Sequence, residues 1–155
     1  MAKKREEVAE FYVDPQTSIN YLEKYLESHR EGGDRAIEAK IYSTLGSSYH
    51  CLGDFQKTIE YYERYLKISN EVGDRAEEGA VYNSLGIAYR RIGDFQKAIE
   101  YHNRHLQISK EVRDRAEQGK AYCKLGIAYH SLGDFHKAME PVSYTHLTLP
   151  TSDLV

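Results

Sequence analysis

Apolar residues recur along the chain with the three-to-four-residue beat of an amphipathic helix. Ile41, Tyr42, Leu45, Tyr49 and Leu52 make one stripe, and Phe55, Ile59, Tyr62 and Leu66 make the next. Gly53-Asp54 divides the two. A glycine enters the left-handed conformation past a helix C-terminus at little cost, and an aspartate accepts from the free amides that open the following helix. The same punctuation predicts helices over 16–30, 35–51, 55–71, 75–91, 95–111 and 115–131, with a stub from 135 and a partial helix over about 3–12. Asp14-Pro15 opens the first of the six, proline standing where a missing amide costs nothing. Asp74 with Glu77 and Asp114 with Glu117 have the spacing of a capping box.

The pattern repeats. Asp34-Arg35-Ala36, Leu45-Gly46 and Gly53-Asp54-Phe55 each return 40 residues later, and again 40 after that. More than half the positions of 34–73 are identical in 74–113, which decides the architecture: a stack of helix pairs, each unit burying its apolar face on its neighbours. The frame divides the chain into a partial leading helix (1–13) and an array over 14–140, followed by a tail over 141–155. Within the array lie a half repeat (14–33), full repeats 34–73 and 74–113, and a truncated repeat (114–140). Glycine inside a helix costs roughly 1 kcal/mol against alanine, so Gly46, Gly86 and Gly126 imply that a neighbour approaches closely. The small residues Thr58, Ala98 and Ala138 on the second helices are the expected point of approach.

Composition narrows the function. A net charge of -3 leaves no basic excess for phosphates to attract, so no nucleic-acid partner is expected. No apolar run approaches the ~18 residues of a membrane span, so no membrane partner is expected either. Cys51 and Cys123 are too few for a disulfide framework and suit a reducing, cytoplasmic setting. Fourteen tyrosines and no tryptophan point to one structural slot used again and again, the core of the stack.

A leading tyrosine (Tyr42, Tyr82, Tyr122), then Leu-Gly, then Tyr49, Tyr89 and Tyr129, then the small residue Thr58, Ala98 or Ala138, resembles the tetratricopeptide repeat. The 40-residue period is similar to the long-helix variety found in Pins-type G-protein-signalling modulators and in large arrays such as tetratricopeptide repeat protein 28. The resemblance implies an all-α, right-handed superhelical solenoid of antiparallel helix pairs whose concave groove holds a partner peptide. Where the Pins-type repeats read Leu-Gly-Asn, this chain has Ser47, Ile87 and Ile127, so their partners are not carried over.

No catalytic, cofactor-binding or metal-binding residue is expected. His102 and His105 share a helix face, but they occupy the slots of Tyr62 and Tyr65, which points to packing or surface. The resemblance places the peptide groove on the first helix of each pair: Lys40, Ser47 and His50, then Asn83, Ile87, Arg90 and Arg91, then Lys120, Lys124 and Ile127. None is acidic, and a groove of one sign concentrates partners of the other. The expected role is a protein-interaction scaffold, not an enzyme, binding an acidic peptide as part of a larger adaptor. A structural spacer or self-associating array is the alternative, with self-association through the uncapped C-terminal end.

After Glu140 the repeat stops. Val142 to Thr151 resembles a reading frame of a transposon-derived sequencing adaptor, so the tail is expected to be an artefact of that origin. A genuine divergent C-terminus is the alternative.

Overall fold

The structure is a computed structural model describing residues 14–133 except residue 73. It contains α1 (Pro15–Ser28), α2 (Arg35–Cys51), α3 (Phe55–Val72), α4 (Arg75–Arg91), α5 (Phe95–Glu111) and α6 (Arg115–Ser131), with no strand among the described residues. The helices match the expected boundaries within two residues. The leading helix over 3–12, the stub from 135 and the tail 141–155 lie outside the described residues. The chain forms two compact units, one carrying α1–α3 and the other α4–α6, divided between Asp74 and Arg75.

The punctuation acts as the sequence implies. Asp14, Asp34, Asp54, Asp94 and Asp114 each accept from a backbone amide two or three residues on, at 2.9 to 3.1 Å. Gly53 takes φ +77 and Gly93 φ +88. Gly33 and residue 113 share a slot in the repeat, and here Arg113 adopts φ 58, a conformation that strains a residue with a Cβ. The capping box at α6 is only half formed. The amide of Asp114 donates to the Ser109 carbonyl at 2.9 Å, leaving Glu117 free to turn outward to His105 and Lys120.

In the first unit, α2 packs between α1 and α3. Ile19, Leu45 and Tyr65 are almost fully buried, with Ile41, Ile59 and Tyr61 close behind. Leu52, which continues the helical spacing of the first stripe, is 48% exposed; it is the C-cap that follows the last turn of α2. Tyr21 likewise faces solvent, so the tyrosine slots are not uniformly core. In the second unit, α5 packs between α4 and α6 over Leu85, Ala88, Ile108 and Leu125.

Gly46 and Gly86 meet a close neighbour, as expected, and what a Cβ would strike first is a ring; Ala138, the neighbour expected for Gly126, lies outside the described residues. A Cβ on Gly46 would lie 2.7 Å from the Tyr62 ring, and one on Gly86 would lie 2.5 Å from the His102 ring. Thr58 and Ala98 are fully buried, yet the group pressed against each glycine is the aromatic ring one turn further along the second helix.

Candidate functional site

The face expected to bind a peptide is carried by α2 in the first unit and by α4 and α6 in the second. In the first unit Lys40 and Ser47 are exposed and His50 is half-buried. Ser47 Oγ donates to the Thr44 carbonyl at 2.9 Å, and the His50 ring meets Phe55 edge-on at 5.4 Å, so both side chains already have local partners.

In the second unit Asn83, Ile87, Arg90 and Lys124 are half-buried, while Arg91, Lys120 and Ile127 are exposed. Ile127 leaves 44% of its surface open, unusual for a large aliphatic side chain. Lys120 differs from the expected free cation: its Nζ lies 2.7 Å from Glu117, and that carboxylate, held below its usual range by Lys120, neutralises it. The acid sits three residues earlier on the same helix, at a position outside the groove set, and local i,i+3 reach brings it over.

Arg90 and Lys124 also bear electrostatically on a different group. His102 of α5 is fully buried, and among the described residues neither of its ring nitrogens has a hydrogen-bond partner. Burial, then His105, then Lys124 and Arg90 hold its pKa down to about 4. Both cations therefore oppose a charge on His102, Arg90 from α4 and Lys124 from α6. His105 is also buried, but its Nε2–H donates to Glu117 at 3.0 Å. Two histidines in tyrosine slots thus prove to be packing groups. Their slot was legible in the repeat, whereas the chemistry around them was not.

Sequence reasoning missed a polar hub in the first unit. Glu23 of α1 accepts from the Tyr49 hydroxyl at 2.6 Å and the Tyr61 hydroxyl at 3.0 Å. Burial and the Glu23 carboxylate push both phenols up, Tyr61 to about 12. Beside the hub lies a cavity of about 350 Å³ bounded by Glu23, Glu38, Tyr42, Tyr61 and Arg64. The Arg64 guanidinium covers the Tyr42 and Tyr61 rings at 5.9 and 5.5 Å. No sequence signal ties Glu23 to tyrosines 26 and 38 residues away.

Among the described residues no group of three or more His, Cys, Asp or Glu is placed to hold a metal ion, and no helix is long and apolar enough to cross a membrane. Cys51 and Cys123 are exposed and unpaired.

Comparison with known proteins assigns the class. A tetratricopeptide-repeat family model matches residues 37–111 and 77–141, and the chain belongs to that family. Comparison with curated protein sequences gives no match. Solved structures agree with the fold. The TPR domain of Arabidopsis FLU superimposes with a TM-score of 0.67 at 24% identity, over 76% of this chain and 99% of that one. A putative kinesin light chain with nearly identical TPR-like repeats from Podosopora anserina gives 0.72 at 19% identity, over 92% and 72%. A STAND protein with a tetratricopeptide repeat sensor from Pyrococcus horikoshii gives 0.70 at 22%, over 90% of this chain but 22% of that one. These superpositions show the architecture, an all-α tetratricopeptide repeat, and the family supports a general role as a protein-interaction scaffold.

Proposed function

We propose that the chain holds a partner peptide against its first-helix faces and that the α4–α6 unit prefers an acidic one. The observation that supports this is that the same first helices, α4 and α6, carry the half-buried cations Arg90 and Lys124 together with the exposed Ile127 and half-buried Ile87. Each exposed ion pair contributes only ~0.2–1 kcal/mol, so charge sets preference and on-rate. Apolar contact with Ile87 and Ile127 has to supply most of the affinity, at ~1.5–3 kcal/mol for each side chain fully buried. On this reading the protein is a non-catalytic, cytoplasmic adaptor piece, and the long-repeat resemblance to Pins-type modulators belongs to the same proposal.

The test is calorimetric titration with a peptide library of alternating Asp/Glu and leucine. Arg90→Glu with Lys124→Glu should weaken binding at low salt and leave helicity intact. Equal binding by the double variant overturns the acidic-peptide reading. Loss on Ile127→Ser with retention in the charge variant would instead make the face an apolar one. No binding by any chain favours the spacer.

A further inference from the structure

The two units place different groups on their buried glycines. Tyr62 covers Gly46 and is 5% exposed; His102 covers Gly86 and is fully buried. A tyrosine stays neutral across the physiological range, whereas an imidazole becomes a cation in mild acid. The groups acting on His102 offer that cation nothing. Its own helix presents His105, α4 presents Arg90 and α6 presents Lys124. No carboxylate is among those groups: Glu117 of α6 is engaged with His105 and Lys120, and buried Glu78 of α4 with Arg75 and Tyr82. The ring lies directly against the glycine backbone, with no space between them for even one methyl group.

We propose that the α4–α6 unit is an acid-sensitive switch: a proton on His102, fully buried against Gly86 with neither ring nitrogen hydrogen-bonded, favours opening of the three helices and of the face that carries Ile127, while α1–α3 stays folded. His105 is not the trigger, since Glu117 gives its charged form a partner. The switch does not depend on which partner, if any, that face binds. Neighbouring repeats in such arrays open semi-independently, so one unit can loosen without its neighbour.

The sign follows from His102 itself. The unfolded chain takes up the proton at an ordinary 6.5, while the folded unit resists it until about 4. Stability is therefore complete above 6.5 and falls as the pH drops towards 4. At pH 5 the opening constant of the unit should be about thirtyfold higher than at pH 7.5.

The experiment is hydrogen exchange on the full chain, read as protection factors so that the pH dependence of intrinsic exchange divides out. In the wild type, protection across 75–131 should fall about thirtyfold between pH 7.5 and pH 5, with 15–72 changing much less. His102→Tyr, which restores the residue of the preceding repeat, should remove most of that fall; His105→Tyr should not. An equal fall in His102→Tyr overturns the proposal. Should that variant not fold, the imidazole resonance of His102 in the wild type decides, since titration near 6.5 overturns it and a proton held off until near 4 supports it.

Discussion

The α1–α3 and α4–α6 units share one geometry and differ in chemistry. Tyr42 and Tyr61 tilt against each other at 6.1 Å and 33°, and Tyr82 and Tyr101 do so at 5.9 Å and 34°. Tyr49 stacks on Tyr61 at 5.6 Å, as Tyr89 does on Tyr101 at 5.3 Å. Arg64 and Arg104 each cap the resulting pair. Arg35 reaches Glu71, and Arg75 reaches Glu111. Against that constancy, the ring on the helical glycine is a phenol in one unit and an imidazole in the other. The repeat conserves shape at these slots, because a planar ring against glycine is what close packing demands. Ionisation is not constrained by shape, so the two units can differ in pH response without differing in fold.

The largest expected break between the units is the acid one. The interval from 6.5 to about 4 at His102 corresponds to about 3 kcal/mol, lost from the second unit alone as the pH falls through that window. Urea melts of the wild type and of His102→Tyr at pH 7.5 and 4.5 should differ by this order.

A substitution that tests shape should instead affect both units alike. Gly86→Ala and Gly46→Ala each place a Cβ well inside contact distance of a ring, so each should lower stability by ~2 kcal/mol despite the better helix propensity of alanine. Chemical denaturation would check this, and a neutral or stabilising alanine at either site would show that the ring can retreat.

The polar hub sharpens the contrast from the other side. Glu23→Ala removes the acceptor of two phenols in the first unit and should cost that unit ~1.5–3 kcal/mol, because hydrogen bonds to a charged group are the stronger kind. Protection across α4–α6 should not change. The smallest effect is a gain. Arg113→Gly relieves a left-handed arginine at φ 58 and should raise the melting stability of the second unit by ~1 kcal/mol. The same change at Arg91, which lies in a regular helix, should lower it.

Much of the fold was legible without coordinates, because its determinants are local. A capping aspartate, a left-handed glycine and a stripe at helical spacing each act within a few residues, and a repeat prints them three times. Helix ends consequently fell within two residues of expectation, and Leu52 keeps the helical spacing yet is exposed because periodicity alone does not say where the packing contact stops. The candidate face was legible as a set of positions, since the first helix of each pair is fixed by the register. Its electrostatics were not. Lys120 is neutralised by Glu117, whose freedom arises because a backbone carbonyl at Ser109 takes the amide that a capping box would have used. The rings on Gly46 and Gly86, the electrostatic effect of Arg90 and Lys124 on His102, and the hold of Glu23 on two tyrosines all join residues from different helices. The sequence by itself determined the elements and their register. Which side chains meet, and hence which charges stand paired, depends on how helices dozens of residues apart lie against each other, and only the tertiary structure decided that.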